Sequence, residues 1–130
     1  MNCRYSKRVF SAFAALVAFG AGSTEVVGGD LTIMVIGNVA IVQQCKTTAT
    51  GDLVIPDTYR GYPVTRIETS AFAGCSNLTS VTIPDSVTSI GGSAFRGCSS
   101  LTSVTIPDSV TIIENLTFYD CSSLTSMTIP

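Results

Sequence analysis

Apolar and polar positions in the second half of this chain recur with a long, fixed period. Phe72, Phe95 and Phe118 are spaced by 23 residues, as are Cys75, Cys98 and Cys121. Leu78, Leu101 and Leu124 keep that register, as do Val81, Val104 and Met127. So do Ile83, Ile106 and Ile129, then Pro84, Pro107 and Pro130, and upstream Ile67, Ile90 and Ile113. The stretch LTSVTIPDSVT stands at 78–88 and again at 101–111, and LTSMTIP begins a third copy at Leu124. Self-similarity of this kind marks an array of stacked supersecondary units.

Inside one unit, the SVTI stretch alternates as a strand does. Val81 and Ile83 point to one side, and Ser80 and Thr82 to the other. Their β-branched side chains suit an extended backbone. Pro84 removes a backbone donor and, with Asp85 and Ser86, predicts a turn. A second short extended piece, VTSI, supplies Val87 and Ile90 to the interior. Gly91 and Gly92 then loosen the chain before Phe95, which enters the core from a tight or helical turn. One such coil cannot bury its own apolar side, so neighbours must stack. The prediction is a solenoid of 23-residue coils, mostly β, with a parallel sheet on one face and short helical or 3-10 turns elsewhere.

AFAGCSNLTSVTIPDSVTSIG and AFRGCSSLTSVTIPDSVTIIE closely resemble the BspA-type leucine-rich repeats of surface proteins, and L-x-x-V-x-I is similar to the leucine-rich-repeat strand. The stretch 50–72 resembles the lead-in segment of such arrays, so the likeness covers about residues 50–130. It implies an extracellular recognition or adhesion scaffold, here a short or truncated member, with no catalytic residue to carry over. Unit three departs from the pattern: Leu116 and Thr117 precede Phe118, and Asp120 stands where the other units have Gly.

Residues 24–49 lie outside the period. LTIMVIGNVAIV reads as two apolar strands around Gly37-Asn38, a hairpin suited to cover the first coil. An irregular, partly packed lead-in is the other reading. Ile55 and Ile83 are 28 residues apart rather than 23, and the surplus falls in TYRGYPV. The first coil is therefore a longer, bulged unit. Its Tyr59 and Tyr62 offer an exposed aromatic contact or cover the core edge.

Residues 1–23 differ in composition. Arg4, Lys7 and Arg8 precede the apolar run VFSAFAALVAFGAG, and Ala21 and Ser23 form an A-x-A-like cleavage site before Thr24. This reads as a signal peptide; a buried helix or an uncleaved anchor is the alternative. Cys3 precedes the apolar run, whereas a lipid-bearing cysteine would follow it. The expected organisation is leader 1–23, cap-like β segment 24–49 and repeats 50–130, with no membrane span in the mature chain. Without the leader, four basic residues face nine acidic ones, a net charge of −5. No basic stripe remains for phosphate neutralisation, so nucleic acid is not an expected partner.

The whole chain has no His and no Trp, and 12% of its residues are charged. No general base titrating near neutrality is at hand, which lowers the prior for an enzyme. Neither catalytic residues, a metal site nor a cofactor is expected. Cys75, Cys98 and Cys121 lack zinc-ligand spacing and a basic neighbour in register. Parallel side-chain directions on stacked strands fit a disulfide poorly, so they read as a ladder of small buried thiols. Cys45 lies outside that register. Asp57, Asp85 and Asp108 follow Pro at matching turns, where turn chemistry explains them. Asn77-Leu78-Thr79 and Asn115-Leu116-Thr117 are glycosylation sequons, relevant in a eukaryotic host.

The candidate binding face is the outward stripe Ser80, Thr82, Ser103, Thr105, Ser126 and Thr128. Ordering water, as an ice-binding surface does, contacting glycans, or simple solvation of a strand face are its readings. Ala73, Arg96 and Tyr119 mark a position that differs between copies and are candidate variable contacts. The expected function is a secreted or cell-surface recognition and adhesion module for an extracellular protein or glycan. A structural spacer in a longer adhesin, or a targeting module of a longer enzyme, is the alternative. The third unit breaks off at Pro130, which leaves an open apolar end; marginal stability or self-association through that end is expected.

Overall fold

The computed structural model describes residues 29–129 and the backbone of 24–27. Residues 1–23, where a leader and its cleavage site are expected, and Pro130 lie outside the described residues. Eleven strands follow one another within them: β1 (Thr24–Val27), β2 (Leu31–Ile36), β3 (Val39–Cys45), β4 (Thr50–Val54), β5 (Thr58–Tyr59), β6 (Tyr62–Ile67), β7 (Asn77–Thr82), β8 (Ser89–Ile90), β9 (Ser103–Thr105), β10 (Ile112–Ile113) and β11 (Ser126–Thr128).

The chain winds as a β-solenoid. One sheet is all parallel in the order β4-β7-β9-β11. The other runs β1-β2-β3-β6-β8-β10, antiparallel as far as β3 and parallel beyond, with β5 attached to β6. The four strands of the first sheet mark about four coils. The sequence period sets the register: Ser80 pairs with Ser103, Val81 with Val104 and Thr82 with Thr105, each 23 residues on. Ser89 and Ile90 meet Ile112 and Ile113 in the same way on the second sheet.

The third side of each coil is a turn arc rather than the expected short helix or 3-10 turn. The reason lies in where the N–H groups go. Ser70, Phe72 and Gly74 donate across to Gly92, Ala94 and Arg96 of the next coil. Ser93, Phe95 and Gly97 do the same to Asn115, Thr117 and Tyr119. The residues between them donate backwards three positions, as Ala71 does to Glu68 and Ala73 to Ser70. Half of each arc's donors thus tie coil to coil, and a continuous helix would take them away. Each arc is reached through a residue of positive φ, Ser70, Ser93 and Leu116, and passes a second at Gly74, Gly97 and Asp120.

Gly91 does not loosen the chain, as the sequence suggested. A Cβ there would lie 2.5 Å from the Thr69 backbone nitrogen, so the glycine permits close packing of adjacent coils.

The side chains stack as columns. Phe95 lies 4.8 Å from Phe72 and Phe118 lies 5.4 Å from Phe95, ring centroid to centroid. Leu78, Leu101, Val81, Val104, Ile83, Ile106, Val87 and Ile90 are all buried in one continuous core. Each large apolar side chain removed from water contributes about 1.5–3 kcal/mol before entropy is counted.

The LTIMVIGNVAIV stretch forms the hairpin β2–β3 about Gly37-Asn38, with β1 added outside. Its Leu31, Ile33, Val35, Ala40 and Val42 belong to the same core as the coils, joined through the parallel pairing of β3 with β6. The surplus residues of the first coil fold as the small hairpin β5–β6. Arg60 and Gly61 both have positive φ at its tip, the backbone of a type I′ turn. The two tyrosines divide the roles foreseen for them: Tyr59 is core and Tyr62 is exposed.

Candidate functional site

The six hydroxyl residues of the outward stripe come together on the β7-β9-β11 part of the parallel sheet. Ser80, Ser103 and Ser126 make one column and Thr82, Thr105 and Thr128 another. The threonines are exposed throughout, while Ser80 and Ser103 are half-buried. A third column stands beside them that strict alternation missed: Thr79, Thr102 and Thr125, all exposed. Two polar residues separate Leu78 from Val81, and both reach the surface. The 23-residue period contained this column, because LTS recurs in every unit.

These threonines also tie coils together. Thr102 donates its hydroxyl to the Thr79 carbonyl at 3.0 Å, and Thr125 to that of Thr102 at 3.4 Å. On the second sheet Thr88 and Thr111 repeat the contact to the carbonyls of Thr65 and Thr88. At the first coil a bulge between Gly51 and Asp52 brings Asp52 opposite Ser80. The Asp52 carboxylate accepts the hydroxyls of Ser80 at 2.8 Å and Thr79 at 3.0 Å. The face therefore begins with an oriented, negatively charged corner and continues as neutral hydroxyls.

Ala73, Arg96 and Tyr119 lie on the turn arcs, away from the hydroxyl-bearing sheet. Arg96 places its guanidinium 5.6 Å from the Tyr119 ring centroid, a cation–π contact between adjacent coils. The two sets of candidate residues thus form two surfaces rather than one patch.

An open recess of about 520 Å³ sits where β7 leads into the Pro84 turn, between Thr82, Asp57 and Asp85. The aspartates there belong to turns: Ser86 donates to the Asp57 carbonyl at 3.0 Å, and Val87 closes onto Pro84 at 3.1 Å. Among the described residues, His, Cys, Asp and Glu side chains gather in no group of three suited to a metal ion. Nor is any described helix long and apolar enough to cross a membrane.

Cys45, Cys75, Cys98 and Cys121 are all outside disulfides. Cys98 donates its thiol to the Phe72 carbonyl at 3.1 Å, and Cys121 to that of Phe95 at 3.0 Å. Burial pushes the Cys98 thiol up to about 12 and raises Cys121 as well. Both sequon asparagines are exposed, but Thr117 is buried, with its hydroxyl on the Glu114 carbonyl at 2.6 Å.

The same architecture recurs in known proteins. A T. pallidum leucine-rich-repeat protein superposes with a TM-score of 0.69 at 28% identity, over 84% of this chain and 47% of that one. A leucine-rich cell-surface protein from Faecalibacterium prausnitzii gives 0.65 at 33% identity, over 83% of this chain and 31% of that one. A leucine-rich-repeat protein from Bacteroides ovatus gives 0.65 at 29% identity, over 88% and 30%. The chain thus spans less than half the length of each of these three structures. Among curated proteins none matches it in sequence. The family model described as "BspA type Leucine rich repeat region (6 copies)" matches residues 44–130, two thirds of the sequence. With that match over the same coils that carry the phenylalanine, cysteine and hydroxyl columns, the chain belongs to the BspA-type leucine-rich-repeat family.

Proposed function

We propose that this chain is a secreted or cell-surface recognition module that binds an extracellular protein or glycan through its hydroxyl face. The observation that carries the reading is the register of the β7-β9-β11 strands. It holds Ser80, Ser103, Ser126, Thr82, Thr105 and Thr128 in straight columns on one rigid sheet. A surface already ordered by coil-to-coil hydrogen bonds loses little entropy when it engages a partner. Repetition lets one contact recur along it, so weak contacts add through multivalency. The F. prausnitzii neighbour is described as a cell-surface protein, which supports the placement. The leader 1–23 would deliver the chain there, and the β1–β3 unit would cap the first coil against solvent. No chemistry is assigned to the module.

The test is binding of the full chain to immobilised glycans and matrix proteins, beside the triple variant Thr82→Lys, Thr105→Lys, Thr128→Lys. All three positions are exposed, and because the lysines would stack on adjacent strands, circular dichroism and a melt of the variant check that the fold is kept before binding is compared. Loss of binding in that variant supports the face. Binding retained by the variant would move the site elsewhere, with the Arg96–Tyr119 arc the next surface to mutate. A spacer role in a longer adhesin is the second reading, favoured by the chain's spanning less than half the length of the three leucine-rich-repeat structures it resembles.

A further inference from the structure

We propose that Cys45 and Cys75 are a disulfide-forming pair that ties the N-terminal hairpin to the first coil, with a small-molecule disulfide such as oxidised glutathione as the oxidant. Cys45 ends β3, and Cys75 lies in the first turn arc, 30 residues further on. Both are fully buried in the shared core. The Cys75 sulfur sits 3.7 Å from the Cys45 carbonyl oxygen and 3.5 Å from that of Lys46. The Cys45 N–H meanwhile donates to Ala71 at 2.7 Å, which pins β3 to the arc that carries Cys75.

Cys75 differs from the two thiols stacked after it. Cys98 and Cys121 each face the phenylalanine carbonyl of the preceding coil in repeat register. Cysteines related by that register have nearly parallel Cα–Cβ directions on chains about 4.8 Å apart, a poor match to a disulfide dihedral near 90°. Cys45 does not belong to that register, since it ends the hairpin strand β3 outside the period, and its side chain contacts that of Cys75. A hydrogen bond with the Cys45 side chain lowers the Cys75 pKa, against the opposing effects of burial and of nearby Asp30. Cys75 is thus the ladder thiol whose side chain is engaged by a second thiol, which marks Cys45 and Cys75 as neighbours in the docked hairpin.

The exchange balances. Cys75 thiolate attacks one sulfur of oxidised glutathione, forming a mixed disulfide and expelling one glutathione thiolate. Cys45 thiolate then attacks Cys75 Sγ and expels the second. Two protein thiols lose two protons and two electrons, and one oxidised glutathione becomes two reduced molecules. Because both sulfurs are buried once β3 has docked, the exchange belongs to folding, as the hairpin closes on the first coil.

The test is to refold the full chain with oxidised and reduced glutathione, alkylate free thiols in denaturant without reductant, and map tryptic peptides by mass. Cleavage at Lys46, Arg60, Arg66 and Arg96 places Cys45 and Cys75 on separate peptides and leaves Cys98 with Cys121 on a third. The expected result is a reductant-sensitive Cys45–Cys75 peptide pair, with Cys98 and Cys121 alkylated. Cys45→Ser should lose the linked pair and return Cys75 to the alkylated pool. Alkylation of both Cys45 and Cys75 in the unaltered chain, or linkage of Cys75 to Cys98, would overturn the proposal without need of the variant.

Discussion

Phe72 and Phe95 stack nearly in parallel, with ring centroids 4.8 Å apart and planes 11° from each other. Phe118 continues the stack on the far side of Phe95 with planes 1° apart. Phe95 is therefore sandwiched and fully buried, whereas Phe118 has a neighbour on one face and is half-buried.

That asymmetry predicts unequal mutations at identical repeat positions. Phe95→Ala should cost about 3–5 kcal/mol, through lost burial and the cavity left between coils. This approaches the whole stability of a small domain, so the cooperative unfolding transition should vanish. Phe118→Ala should only lower the midpoint. Urea melts followed by circular dichroism separate the two.

Leu116 and Asp120 adopt φ of 59° and 63°, the backbone that the other coils give to Ser70 and Ser93, and to Gly74 and Gly97. Left-handed conformation crowds the Cβ against the following carbonyl, at about 1–2 kcal/mol for an ordinary residue. Leu116 is also exposed, so its side chain contributes little packing in return. Leu116→Gly should stabilise by about 0.5–1 kcal/mol after the greater freedom of glycine in the unfolded chain is subtracted, and Asp120→Gly by less, because aspartate adopts this backbone more readily than leucine. A higher urea midpoint with unchanged slope is the expected reading.

Gly91→Ala should do the reverse. Its new Cβ would meet three backbone atoms of Glu68 and Thr69 at 2.5–2.9 Å, and backbone cannot swing aside as a side chain does. A loss of about 1–3 kcal/mol is expected from this overpacking. Gly92→Ala is the control, because its nearest contact is 3.3 Å, to the Asn115 carbonyl oxygen.

The columns were legible in the sequence because a period shared by several residue types admits only one stacking register. Phe72, Cys75, Leu78, Val81 and Ile83 all follow from it. What the period could not reveal depends on contacts between coils or on departures from the repeat. Thr79 reaches the surface because the backbone between Leu78 and Val81 does not alternate strictly. The turn arcs are not helical because Phe72 and Phe95 send their N–H groups to the next coil, a choice invisible within one unit. Tyr59 was separable from Tyr62 only through the tight Arg60-Gly61 turn. The approach of Cys45 to Cys75 required the hairpin to be placed on the first coil.

The thiol ladder predicts an alkaline limit. Burial raises Cys98 from an ordinary value of 9.0 to about 12, and Cys121 moves the same way. Above pH 9 the unfolded chain releases these protons while the folded chain retains them. The unfolded state then binds fewer protons, so stability falls with rising pH. The Cys98 contribution should be intact below pH 9 and lost between about 9 and 12. Cys98→Ser, which keeps a donor for the Phe72 carbonyl, should show a shallower fall in melting temperature over pH 9–11 than the unaltered chain.

The end of the described coils makes the last prediction. Among the described residues, β10 and β11 lie at one end of their sheets, each paired on one edge alone, as β1 and β4 lie at the other. Around them Ile113 is 39% exposed and Ile129 59%, whereas the equivalent Ile67, Ile90, Ile83 and Ile106 are buried, and Leu116 adds further exposed apolar surface. Unpaired strand edges beside apolar surface template association, and two such ends can pair edge to edge. This chain should therefore show a molar mass that rises with concentration in light scattering. Ile113→Lys with Ile129→Lys should return it to monomer, because a charge cannot be carried into a dry edge-to-edge contact without a partner. A monomer at every concentration in the unaltered chain would refute the association, and a variant that still associates would place the contact on another surface.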